Sequence, residues 1–141
     1  MKKVVLDTSV IVAAMRSASD AGSAQLRLVS LQRIRPLATI ALFLEYEDVL
    51  KRPENRSVIG MSLDDIDKFL FALASACEPV DVHFRWRPQL KDTDDEMVLE
   101  AATNEHADAL MTYNLADFQK ATECFSLRVV LPGQFLKEIS Q

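Results

Sequence analysis

The stretch Lys3-Val-Val-Leu-Asp7 is a short apolar run of buried-strand length that ends on an acid. From Val10 to about Arg16 the apolar spacing becomes helical. A polar break, Ser17-Ala-Ser-Asp-Ala-Gly22, precedes a second helix through Leu26, Leu28, Val29 and Leu31. Arg33 to Ile40 carries a weak strand, Pro36-Leu-Ala-Thr-Ile40. Thr39 has the chemistry of an N-cap for a helix running to about Lys51, which Arg52-Pro53 stops. Residues 53–61 read as a polar connection. Ser62-Leu-Asp-Asp65 is a capping box, opening a helix with Ile66, Phe69, Leu70, Leu73 and Ala76 at helical spacing. An extended piece from Pro79 to Phe84 leads to Arg85-Trp86-Arg87-Pro88. The acidic cluster Asp92-Thr-Asp-Asp-Glu96 opens a helix that ends near His106. Strand Ala109-Leu-Met-Thr112, a turn with Asn114 and Asp117, strand Leu127 to Leu131 and a helix near Phe135-Leu-Lys137 follow. Strands alternating with helices predict a single α/β domain over residues 1–141. Its expected form is a three-layer α/β/α sandwich with a central, mainly parallel sheet covered on both faces.

The 141 residues carry 16 Lys plus Arg against 21 Asp plus Glu, a formal charge of −5. That balance argues against a general, charge-driven nucleic-acid binder, while leaving room for a local basic strip. With 49% apolar and 26% charged residues, the composition is that of an ordered globular chain and excludes disordered and fibrous classes. No apolar run approaches the ~20 residues of a membrane span or the roughly 7–15 of a signal-peptide core, so a cytoplasmic protein is expected. Cys77 and Cys124 lie far apart with no Cys-x-x-Cys or Cys/His cluster. They read as small buried apolar side chains rather than a disulfide or zinc site.

In open parallel sheets, ligands bind beyond the carboxyl ends of the strands. Asp7 falls there and is followed by Thr8 and Ser9; an N-cap role for one of the three is the plain alternative. Asp95 shares a helical stripe with Val98, Leu99 and Ala102, whereas Asp94 and Glu96 fall about 100° to either side. A charge on a core-facing stripe costs several kcal/mol unless it is paired, hydrogen-bonded or metal-bound. Helix-dipole stabilisation accounts well for Asp92, Asp94 and Glu96 and poorly for Asp95. In the helix after Thr39, Glu45 and Glu47 flank opposite edges of the stripe Leu42, Phe43, Tyr46, Val49 and Leu50, and periodicity does not choose between them. Asp117 and Asn114 follow a later strand end, where a turn is the ordinary role and Thr112 could cap locally or bond an acid. Asp7, one of Glu45 or Glu47, Asp95 and Asp117 could thus converge on one sheet edge. Packed carboxylates repel, and a hard divalent cation such as Mg²⁺ or Mn²⁺ relieves that repulsion and suits phosphoryl chemistry.

The ordered set of motifs resembles the PIN-domain (PilT N-terminal) family, in particular its toxin-like members related to VapC. Val4-Val-Leu-Asp-Thr-Ser-Val10 is similar to the family's first strand and its D-T-[NS]. Leu42-Phe-Leu-Glu-Tyr-Glu-Asp-Val-Leu-Lys-Arg-Pro53 resembles a second-acid helix. Asp92-Thr-Asp-Asp-Glu-Met-Val-Leu-Glu-Ala-Ala102 is similar to D-P-D-D-x-x-x-L-E-x-A, and Thr112-Tyr-Asn-Leu-Ala-Asp-Phe118 to T-x-N-x-x-D-F. Arg128-Val-Val-Leu-Pro-Gly-Gln-Phe-Leu136 resembles the closing strand and helix.

The resemblance implies a Mg²⁺- or Mn²⁺-dependent endoribonuclease with Asp7, Glu45, Asp95 and Asp117 as catalytic and metal-binding acids, and it selects Glu45 over Glu47. Thr8, Ser9, Thr112 and Asn114 would support them. Ser9 stands where Asn is common, Thr93 where Pro is usual, and Asn114 where some members carry another Asp, which weakens a second metal position. Arg16, Arg52, Arg85 and Arg87, with Lys51 and Lys91, are the candidates for the RNA backbone, and Trp86 could stack a base or plug a core. The resemblance also implies a cognate antitoxin protein and a homodimer. A silent PIN-fold binding module or a stand-alone RNA-processing nuclease is the alternative. A phosphorelay receiver lacks a phosphoacceptor Asp and a Lys in the right places. A haloacid-dehalogenase-type phosphatase fails at Ser9, and no Gly-rich phosphate loop is present.

Overall fold

The computed structural model describes residues 1–17, 20–81, 93–104, 106–119 and 127–139; within the helix over 93–104, the side chains of residues 93–97 and 100 lie outside the description. Five strands form one sheet: β1 (Lys2–Leu6), β2 (Ile34–Ala38), β3 (Glu78–Pro79), β4 (Ala109–Met111) and β5 (Val129–Val130). Their order is β3-β2-β1-β4-β5, and every neighbouring pair is parallel. Seven helices accompany them among the described residues: α1 (Thr8–Arg16), α2 (Ala21–Ser30), α3 (Ile40–Lys51), α4 (Pro53–Ile59), α5 (Leu63–Ala76), α6 (Thr93–Asn104) and α7 (Pro132–Ile139). Helix α2 packs on α1 and α7, while α3 packs on α5 and α6 and α6 lies on β1 and β2. This is the expected three-layer α/β/α arrangement. Val4, Val5 and Leu6 of β1 are all buried, as a strand covered on both faces requires.

Local chemistry explains the element boundaries. Thr39 caps α3 by accepting the Leu42 N–H at 3.0 Å, and Ser62 and Asp65 form a reciprocal capping box at the start of α5. Strand β2 ends at Ala38, two residues before the expected end, because Thr39 is already the cap and Ile40, 80% exposed, opens the helix. Pro36 is tolerated inside the sheet because its edge position within β2 points toward β3. Ala38 accepts from Val80 on that side, and pairing with β3 begins only at Leu37↔Glu78, so the missing N–H faces no ladder partner.

The expectation of a polar connection over 53–61 is corrected. Arg52-Pro53 ends α3, but Pro53 is the first residue of α4, where its fixed φ and missing N–H cost nothing. Gly60, at φ 74°, closes that helix in the left-handed conformation. The extended piece expected from Pro79 to Phe84 begins as the two-residue β3; residues 82–84 lie outside the description. Strand β5 is shorter than the expected Leu127–Leu131. No helix of the described residues is long and apolar enough to cross a membrane.

Candidate active site

From the central strand the chain first builds outward through β2 and β3, then resumes on the other side with β4 and β5. The order reverses between β1 and β4, and the carboxyl ends of these two strands flank the crevice that such a reversal creates. Asp7 follows β1 and Thr112 follows β4. The Asp7 N–H donates to the Met111 carbonyl at 2.9 Å, which joins the two strand ends directly.

Asp7 occupies the N-cap position of α1, yet its side chain makes no capping bond. The residue is only 5% exposed, and its carboxylate turns instead toward Thr112 after β4. Oδ2 accepts the Ser9 hydroxyl at 2.6 Å and the Thr112 hydroxyl at 2.7 Å. Each hydroxyl also accepts a backbone N–H: Tyr113 donates to Ser9 Oγ at 3.2 Å, and Asn114 to Thr112 Oγ1 at 2.9 Å. An oxygen that accepts from an amide in this way has its own proton left to give, here to Asp7. Thr112 is fully buried, so its bond is shielded from water. Asn114 therefore serves the site through its backbone, and Thr8 opens α1 half-buried.

Helix α3 is pinned to the same strand end. The Tyr46 hydroxyl donates to the Leu6 carbonyl at 2.5 Å, one residue before Asp7. Burial, then the nearby Cys77 and Asp7, push the Tyr46 phenol well above its ordinary value, so it stays a donor. Glu45 adjoins this anchor and is half-buried. Glu47 is engaged elsewhere, 3.2 Å from the Lys51 ammonium, which also meets Asp67 at 2.6 Å. Asp48 pairs with Arg52 at 2.8 Å. Those pairings raise Lys51, chiefly through Asp67, and Arg52, chiefly through Asp48.

Asp117 sits exposed on the 3₁₀ turn Leu115–Phe118, which follows Asn114, and its N–H donates to the Asn114 carbonyl at 3.1 Å. Asp95 lies in the first part of α6, one turn before the buried Val98 and Leu99 and two before Ala102; its side chain, like that of Asp94, is outside the described residues. Among the described residues, no group of three acidic, His or Cys side chains is close enough to hold a metal ion. What the structure brings together is Asp7, Ser9 and Thr112. Of the basic candidates, Arg16 donates to Asn55 Oδ1 at 2.8 Å and Arg52 is paired with Asp48; Arg85, Arg87 and Lys91, with Trp86 and Asp92, lie outside the description. Cys77 is half-buried rather than fully buried, and Cys124 is outside the described residues.

Sequence reasoning missed one long-range bond beside the site. Tyr113 donates through its hydroxyl to Asp20 Oδ2 at 2.6 Å, and Asp20 also caps α2 by accepting the Gly22 N–H at 2.7 Å. Asp20 stood in a polar break with N-cap chemistry, which was the available signal. Nothing in the sequence links it to Tyr113.

A family model described as PIN domain matches residues 3–116. The chain belongs to the PIN domain family. The match takes in Asp7, Glu45 and Asp95 and ends one residue short of Asp117. The PIN fold is likewise seen in solved structures. One is VapBC-1 from nontypeable Haemophilus influenzae, at 14% identity and a TM-score of 0.62, covering 93% of this chain and 98% of that one. Another is VapBC2 from Rickettsia felis bound to a DNA fragment from their promoter, at 18% identity and a TM-score of 0.57, covering 90% and 96%. No curated protein sequence matches this PIN domain.

Proposed function

We propose that this PIN domain is a metal-dependent endoribonuclease that hydrolyses RNA phosphodiester bonds, and the toxin of a toxin–antitoxin pair. The observation that carries the nuclease reading is the buried Asp7 carboxylate at the strand-order reversal. Two hydroxyls load its Oδ2, and among the described residues it forms no ion pair. A buried, ionised carboxylate is costly without a positive partner, and a hard oxygen donor suits a hard divalent cation. On this reading Asp7, Glu45, Asp95 and Asp117 hold Mg²⁺ or Mn²⁺. When bound, such an ion activates water and offsets the charge developing on the phosphate.

The chain's own residues prepare that site. Ser9 and Thr112 fix the Asp7 carboxylate through Oδ2, and among the described residues none bonds Oδ1. The Tyr46–Leu6 bond fixes α3, and with it the backbone of Glu45, against the end of β1. On this reading Glu45, next to the Tyr46 anchor, is the second acid. Arg16, Arg52, Arg85 and Arg87 are the proposed contacts to the RNA backbone. The likeness in fold to the two VapBC complexes supports a cognate antitoxin partner, and we extend it to a homodimer acting in the cytoplasm.

The test is cleavage of a mixed RNA panel with Mn²⁺ or Mg²⁺, with EDTA and Asp7→Asn as controls. Cutting that disappears in both controls is the expected result. Asp95→Asn and Glu45→Gln should also abolish it, while Glu47→Gln leaves most of it. A folded protein that neither binds Mn²⁺ nor cuts would overturn the reading. Strong loss in Glu47→Gln beside an active Glu45→Gln would overturn the choice of second acid.

A further inference from the structure

Tyr113 stands between Thr112 and Asn114, and its phenol has no part in the site as described above. Tyr113 is 37% exposed, so water could satisfy its hydroxyl. The hydroxyl instead reaches the Asp20 carboxylate, on the same oxygen that holds the Gly22 N–H. Burial and the bond to Asp20 push the phenol up to about 12, so it remains a donor at any physiological pH. Asp20 is itself immobilised. It begins α2, whose first turn lies against α1 so closely that a Cβ on Gly22 would stand 2.8 Å from the Val10 carbonyl oxygen.

The geometry points to Tyr113 and Asp20 as positioning residues for the Asp7 carboxylate. Their side-chain bond ties the loop after β4 to the start of α2. The tied loop presents two consecutive amides, Tyr113 to Ser9 Oγ and Asn114 to Thr112 Oγ1. Both hydroxyls are thereby left as donors to Asp7 Oδ2. The path closes on itself, since Asp7 opens α1, α1 supports α2, and Asp20 on α2 holds the loop that returns to Asp7. Released from Asp20, the loop would let the Ser9 hydroxyl rotate away and the carboxylate turn with it. The catalytic consequence rests on the nuclease reading above; the tie itself does not.

Tyr113→Phe removes the hydroxyl and keeps the ring. Asp20→Asn keeps an acceptor for both the phenol and the Gly22 N–H, and Asp20→Ala removes it. Two readouts are needed: amide hydrogen exchange on the metal-free protein, and the steady-state kinetics of RNA cleavage. In Tyr113→Phe, exchange at the Tyr113 and Asn114 amides should rise about tenfold, the factor for loss of one hydrogen bond worth about 1.4 kcal/mol. kcat should fall by about the same tenfold factor with KM unchanged, because the change acts on the orientation of a reacting group and not on RNA binding. Asp20→Asn should stay near the parent in both readouts, and Asp20→Ala should match Tyr113→Phe. Unchanged exchange in Tyr113→Phe would overturn the tie. Accelerated exchange with parental kcat would overturn its role in positioning. A parent that cuts nothing, with exchange still accelerated in Tyr113→Phe, would remove the nuclease reading and leave the tie standing.

Discussion

Thr112→Val tests the Asp7 site at its most buried bond. Valine keeps the shape of threonine, so no cavity opens, and the change removes one hydroxyl. That hydroxyl donates to a carboxylate at 2.7 Å in a fully buried position. Hydrogen bonds to charged groups contribute about 1.5–3 kcal/mol, and the Asn114 N–H that loses its acceptor is near enough to solvent to be rehydrated. The expected cost is therefore about 2 kcal/mol. For a chain of this size that corresponds to a fall in Tm of roughly 6–10 °C. The assay is urea denaturation followed by circular dichroism, in EDTA, on the parent, Thr112→Val, Asp7→Asn and the double variant. In the Asp7→Asn background the acceptor is neutral, and a neutral hydrogen bond is worth about 1 kcal/mol. The cycle should therefore show coupling of about 1 kcal/mol between the two positions. An equal cost of Thr112→Val in both backgrounds would refute the claim that this hydroxyl serves the Asp7 charge.

Asp7→Asn should itself raise the stability of the metal-free protein by about 1 kcal/mol, because it removes a buried charge whose partners among the described residues are two hydroxyls. Mn²⁺ at about a hundred times its Kd should then stabilise the parent by about 2.7 kcal/mol and leave Asp7→Asn unmoved, as thermal melts with and without metal would read. Gly22→Ala should cost about 1–3 kcal/mol in urea denaturation, since the new Cβ would meet the Val10 carbonyl oxygen at 2.8 Å and Asp20 Oδ2 at 2.9 Å. Burial raises the Cys77 thiol from 9.0 to about 11, so above pH 9 the unfolded chain loses its proton first. Stability present below pH 9 should thus be lost, by about 2 kcal/mol, as pH rises through about 11; Cys77→Ala should flatten that part of the pH–stability curve.

Elements governed by local rules were legible in the sequence. Thr39 and the Ser62–Asp65 box announce α3 and α5 because a helix start needs an acceptor for its free N–H groups, whatever surrounds it. The same Pro53 that stops one helix starts the next, and sequence alone weighted only the stop. The site was legible in part. Asp7 was recognisable as a candidate from its place after a buried strand, but the sequence does not tell a capping side chain from one that, as here, leaves the cap and turns to Thr112, 105 residues away. Glu45 and Glu47 were equivalent by period. The ion pair of Glu47 with Lys51, which Asp67 of α5 also holds, depends on a neighbouring helix that the period does not report. The bond from Tyr113 to Asp20 spans 93 residues and leaves no periodic trace at all.

The central place of β1 in the sheet also governs when the site can exist. Strand β1, which precedes the other four in the chain, needs partners on both sides, and the second of them, β4, begins at Ala109. Synthesis at about 5–20 residues per second puts roughly 5–20 s between Asp7 and the residue whose hydroxyl completes its surroundings. For all of that interval a nascent chain carries the acid without the clasp. Whatever binds the chain during translation therefore meets Asp7 before Thr112 is there to hold it.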